Sequence, residues 1–255
     1  MSTAFFGDTA VLTGRSLKHI TRSLDTIITT AIMPVAMMLL FVYVLGGAIQ
    51  TGATSGSYID YMLPGILLIT IATGISYTAL RLFTDLQTGI FERFQSMPIS
   101  RSASLWAHVL TSLVANVIAL VVVIAVALLM GFRTGAGLGA WLAVAGLLLL
   151  VTLALTWIAV IAGLAAKTPD GAGAFSYPLI FLPFISSAFV PTASMPGPVR
   201  WFAQYQPMTP IVNTIRDLFT GTPVSGDIWI ALAWMVGILV VAYIVAISVY
   251  RRRLG

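Results

Sequence analysis

The sequence predicts an all-α membrane protein of six spanning helices, and three observations lead there. Apolar residues make up 59% of the 255 positions, charged residues only 8%, and the mean hydropathy is +1.01. A soluble domain of this size needs far more charge to cover its surface. Charge-free intervals run over 26–59, 61–80, 102–132, 134–166, 171–199 and 228–250. Each reaches the roughly 20 residues that a spanning helix requires. The runs are continuously apolar, whereas a transmembrane barrel shows alternating segments of about 10 residues.

Charge sets the orientation. With a cytoplasmic N-terminus, Arg15, Lys18, Arg22, Arg81, Arg93, Arg101, Lys167, Arg251, Arg252 and Arg253 lie inside. They are ten of the thirteen basic residues, and only Arg133, Arg200 and Arg216 fall outside. The positive-inside rule then places both termini in the cytoplasm of a multi-pass cell-membrane protein. The net charge of +5 is spread along the chain and forms no single patch, so nucleic acid is not an expected partner. No cleaved signal peptide is expected, because the first apolar run is too long for one.

The chain reads as one transmembrane domain, 1–255. Residues 1–25 mix Phe5, Phe6, Leu12, Leu17 and Ile20 with Arg15, Lys18 and Arg22, the pattern of an amphipathic helix at the inner interface. Such a helix serves either as a lipid anchor or as a contact for a partner protein. The first span contains Pro34, which kinks a membrane helix without ending it. The second begins near Tyr58 and Asp60 and carries Thr70, Thr73 and Tyr77 on one face, which turns away from lipid.

Residues 88–101 follow as a short charged connection, with Gly89 to Arg101 reading GIFERFQSMPISR. Phe91, Phe94 and Met97 recur every three residues beside Glu92 and Arg93. They form either an apolar knob for a partner or an amphipathic surface turn. The third span starts near Ser104, and its deep polar residue Asn116 is interhelical glue or a binding group. A Gly-rich loop around Arg133 leads to the fourth span, and residues 167–173, KTPDGAG, read as a turn. The fifth span, from Ala174 to about Pro191, carries Pro178 and Pro183 and is expected to break or kink. Residues 192–227 read as one or two short helices on the outer surface, held by Trp201, Tyr205 and Trp229. The sixth span ends on Arg251 to Arg253.

No internal repeat relates the two halves of the chain. Every ionisable side chain falls at or beyond a predicted helix end, which disfavours ion coupling. Two distant histidines and no cysteine give neither a metal site nor an intramembrane hydrolase, and neither lysine lies in a GK[ST] motif. The chain is therefore not expected to be an enzyme. If it uses ATP, another chain binds it.

These features resemble one family. The connection GIFERFQSMPISR, with RF-x-S-M-P-I-S-R in the loop between the second and third spans, and the run FLPFISSAFVPTASMPGPVRWFAQYQPMTPIVNTIRDL over 181–218 look like a type 2 ABC exporter permease, closest to the daunorubicin-resistance drug-export subfamily. The resemblance covers essentially the whole chain. It implies a transport subunit that moves drug-like compounds or lipids by alternating access, with ATP and Mg bound by a separate ATPase subunit. It also implies a second permease subunit, identical or related. Residues 88–101 would form the coupling helix, with Phe91, Glu92, Arg93, Phe94 and Met97 as its contacts.

A substrate path is expected between the second and fifth spans at Thr70, Thr73, Tyr77, Tyr177, Phe181, Phe184 and Ser187, since their hydroxyls, prolines and aromatic rings suit amphipathic molecules. The alternative is that these groups only glue a helix pair. Two other functions fit the sequence: an ATP-independent pore or lipid scramblase, or a purely structural assembly subunit.

Overall fold

Residues 62–72 are buried without interruption, so the second apolar run meets protein on every side over three turns. The fold is arranged around this helix. The computed structural model describes residues 24–46, 57–88 and 103–254, which form helices and short connections with no strand among them. The N-terminal amphipathic segment and the contacts Phe91, Glu92, Arg93, Phe94 and Met97 lie outside the described residues.

Helix α1 spans Leu24–Leu39 and continues as a π-helical turn over Leu40–Leu45. A π turn admits an extra residue per turn, so the irregularity of the first span extends beyond the expected kink at Pro34. Helix α2, Tyr58–Gln87, has 30 residues, about 45 Å at 1.5 Å per residue. It outlasts its charge-free run by seven residues and takes Arg81 and Asp85 into the helix. Arg81 thus sits within the helix, and not at its end as the apolar run implied. Asp85 is held by His108 of the next helix at 3.2 Å.

Helix α3, Ala103–Leu129, ends on Gly131, whose φ of +104° suits glycine, while the Phe132 N–H closes the last turn on the Ala127 carbonyl at 2.9 Å. Helix α4, Leu138–Ala165, is followed by Thr168, whose hydroxyl accepts from the Gly171 N–H and caps α5, Pro169–Ala174. The expected turn over 167–173 is therefore largely a short helix. Thr at the N-cap and Pro at the first helical position explain it, and the glycines alone misled. Helix α6 covers Ser176–Phe181 and gives way to a 3-10 turn over Leu182–Ile185. Helices α7, Gly197–Tyr205, and α8, Met208–Thr220, precede α9, Asp227–Leu254.

Four of these helices, α2, α3, α4 and α9, are long and apolar enough to cross a membrane. Helix α2 packs against α1, α3, α4, α5, α6 and α8, and α9 packs against α4 and α8. A second core lies at the Gln87 end of the bundle, where Leu82, Leu105, Trp157 and Tyr250 meet and the Trp157 ring stands edge-on to Tyr243 at 4.8 Å.

Close approach at small residues sets the spacing. A β-carbon at Gly163 would lie 2.7 Å from the Ala79 carbonyl, which places α4 directly on α2. Beyond that contact α2 runs eight more residues and the parallel α4 only two, so α2 projects past α4 by about 9 Å. Helix α3 accompanies it in antiparallel register, with Gly74 against Asn116, the Thr78 hydroxyl donating to Ser112 Oγ at 2.7 Å, and Asp85 against His108.

Candidate functional site

Proline has no N–H to close a helical turn, and Pro178 and Pro183 lie five residues apart. The backbone leaves helical geometry at Ser186, with φ −132° and ψ −175°. Carbonyls freed in apolar surroundings cost several kcal/mol each unless protein groups satisfy them. Here the partners come from the break itself, from the turn after α7 and from α8. The Gln206 amide, 5% exposed, donates to the carbonyls of Leu182 at 3.1 Å and Ile185 at 2.8 Å. Ser186 Oγ donates to the Pro183 carbonyl at 2.6 Å and accepts from the Ala188 N–H at 3.1 Å. Thr209 Oγ1 accepts from the Ser187 N–H at 3.3 Å.

Arg216 completes the arrangement. Its Nη2 donates to the Ser187 carbonyl at 2.7 Å and to the Tyr61 carbonyl at 3.0 Å, and its guanidinium lies 3.8 Å above the Tyr61 ring. One side chain thereby ties α8 to α2 and to the break. Burial pushes the Arg216 pKa below its ordinary value, and Tyr61 and Asp217 oppose the shift. Asn213 accepts from the Ser187 hydroxyl at 2.6 Å and donates to Asp227 Oδ2 at 2.8 Å, which extends the network to α9.

Aromatic packing seals the other flank. Phe184 stacks on Phe189 at 4.8 Å, Phe41 of the π turn meets Phe189 at 5.0 Å, and the Tyr58 hydroxyl donates to the Phe189 carbonyl at 3.2 Å. A β-carbon at Gly65 would stand 2.5 Å from that of Ala188, so the break lies directly on α2.

The residues expected along a substrate path lie in different surroundings. Thr70 is fully buried and donates to the Ile66 carbonyl at 2.8 Å, while the half-buried Thr73 donates to the Ile69 carbonyl at 2.9 Å. Tyr77 is half-buried and borders a small cleft with Thr30, Arg81 and Asn116. Tyr177 and Phe181, one turn apart on α6, are each 62% exposed, whereas Phe184 and Ser187 belong to the packed break.

The sequence reading missed Gln206, Thr209, Asn213 and Arg216. Of the helices in residues 192–227, α7 is mostly exposed, whereas α8 has nine of its thirteen residues buried against the bundle. The missed signal is a polar stripe at Thr209, Asn213 and Arg216, spaced by four and three, opposite Ile211, Ile215 and Leu218.

A bundle with four helices long and apolar enough to cross a membrane, and a proline-broken segment held internally by side chains, is the architecture of a polytopic membrane protein. The chain belongs to the ABC-2 type transporter family, whose model matches residues 8–220. It is 28% identical over 234 residues to the daunorubicin resistance ABC transporter permease protein DrrB1 of Streptomyces coeruleorubidus, covering 89% of this chain and 80% of that one. It is 26% identical over 251 residues to the probable doxorubicin resistance ABC transporter permease protein DrrC of Mycobacterium tuberculosis strain CDC 1551 / Oshkosh, covering 97% and 90%. The same figures hold for DrrC of strain ATCC 25618 / H37Rv. These relatives are permease subunits of ABC transporters, and a permease of this family is not an enzyme: its ATPase is a separate subunit.

Proposed function

We propose that this chain is the permease half of an ATP-driven exporter that moves amphipathic or hydrophobic molecules, drug-like compounds or lipids, out of the cytoplasm or inner leaflet by alternating access. The observation that carries the reading is the α2–α3 hairpin. Its two helices stay in register to Asp85 and His108, it projects past α4, and residues 89–102 join its ends. A partner ATPase closing on ATP and Mg at that connection has a stiff lever into the bundle. Phe91, Glu92, Arg93, Phe94 and Met97 form the docking face. Two permease subunits, two copies or a copy and a relative, each rest on one ATPase subunit. The names of the relatives support a drug-like cargo.

Six crossings with both termini in the cytoplasm fit this role. The first is α1 with its π turn, 22 residues in all, and the fifth is the broken segment from α5 to the 3-10 turn. The exposed Tyr177 and Phe181 with Thr73 and Tyr77 line the path. Phe184 shapes its wall, and Thr70 and Ser187 stand behind it.

Reconstitution with the ATPase tests the proposal. Cargo should stimulate ATP hydrolysis by the wild-type complex, and F91A/F94A should insert normally yet lose the stimulation, since truncating a docking anchor costs about 2 kcal/mol or more. Full stimulation in the variant removes the docking role. Equal cargo movement without nucleotide replaces the whole reading by an ATP-independent pore or scramblase.

A further inference from the structure

A groove of about 820 Å³ runs between α4 and α9, walled by Ile158 and Ile161 on one side and by Trp234, Gly237, Val241 and Val245 on the other. The volume is in the range of ligand-sized clefts, about 300–1,000 Å³. Its walls are aliphatic or indole, and a β-carbon at Gly237 would meet nothing within 4 Å, so this stretch of α9 leaves open space. Val241 is 62% exposed and Val245 39%.

What lies beyond the groove identifies its occupant. Val241, Val245 and Arg252 share one helical face, at spacings of four and seven residues. Arg252 follows Val245 by about 10 Å along the axis, and Arg251 and Arg252 are both exposed. That rise is comparable to the step from the hydrocarbon core into the headgroup layer, which is about 5–8 Å deep on each side. An apolar groove and an exposed cation thus share one helical face, about 10 Å apart along the axis.

We infer that this groove binds an anionic phospholipid of the leaflet facing the C-terminal arginines, with one acyl chain along Gly237 to Val245 and the phosphate at Arg251 and Arg252. A partner helix of this or another chain would need an acidic group at the same depth, which the phosphate supplies directly. The inference does not depend on cargo or on the ATPase.

Native mass spectrometry of the full-length chain, delipidated in detergent and offered phosphatidylglycerol and phosphatidylcholine of identical acyl chains, tests it. A preference of about tenfold for phosphatidylglycerol is expected at the first bound lipid. R251Q/R252Q should abolish the preference, and G237W should remove the first bound lipid of either kind. V241W, at an exposed position, is the second groove-filling variant should G237W fail to fold. Equal retention of the two lipids, or an unchanged preference in either the arginine or the groove-filling variants, overturns the site. A disulfide between two copies carrying V241C, formed in membranes in high yield, overturns it in favour of a second copy of the chain.

Discussion

Gly74 of α2 lies so close to Asn116 of α3 that a β-carbon at position 74 would stand 2.2 Å from the Asn116 side-chain oxygen. That oxygen is buried and has no hydrogen-bond partner among the described residues, while its amide nitrogen donates to the Ser112 carbonyl at 2.9 Å. The oxygen is turned to the glycine, into the space a β-carbon would fill. Asn116 therefore works as packing between the hairpin helices.

G74A should destabilise the protein by about 1–3 kcal/mol, the cost of overpacking a rigid contact, and lower the thermal midpoint in detergent. G74A/N116A should recover much of the loss, because the second change removes the atom in the way. An unshifted midpoint in G74A would mean that the hairpin is not packed as described.

Q206L keeps the bulk of the side chain and deletes the donors that satisfy Leu182 and Ile185. With each stranded carbonyl costing about 1–3 kcal/mol, a loss of about 2 kcal/mol or more is expected. R216M should cost at least as much, since it also frees the carbonyls of Tyr61 and Ser187. If the midpoint of Q206L stays within the error of the wild type, the break does not rely on Gln206 for its backbone partners.

The chain contains no cysteine, so single introduced thiols report without background. Y177C and F181C should react readily with a membrane-permeant reagent, and T70C and S187C should stay protected. Slowing of the first pair by cargo would support a path along α6. Equal reactivity at all four positions would contradict the burial pattern.

Asp85 and His108 are partly exposed, so their pair should contribute only about 0.2–1 kcal/mol to stability. Its larger effect should be on stiffness at the hairpin end. D85N and H108N should barely move the thermal midpoint yet reduce cargo-stimulated ATP hydrolysis in the reconstituted complex, and D85N/H108N should be no worse than either single change. Additive losses would show that the two residues act separately.

The all-helical class and the four long apolar helices were legible in the sequence, because membrane helices announce themselves by apolar length, and the bilayer makes that signal nearly independent of neighbours. A break near Pro178 and Pro183 was legible for a similar reason, since a proline's missing N–H is a local covalent fact. Tertiary structure alone decided how the break is satisfied. Nothing local to Leu182, Ile185 and Ser187 indicates that Gln206, Thr209 and Arg216 will reach them, because these partners lie 20 or more residues away and meet them only when α8 packs into the bundle. The same holds for α2 beyond Leu80, where apolar length stops yet the helix continues through Arg81 and Asp85. Hydropathy measures transfer from water into lipid, while a projecting helix end is stabilised by its neighbour across the hairpin, and only the folded chain places His108 beside Asp85.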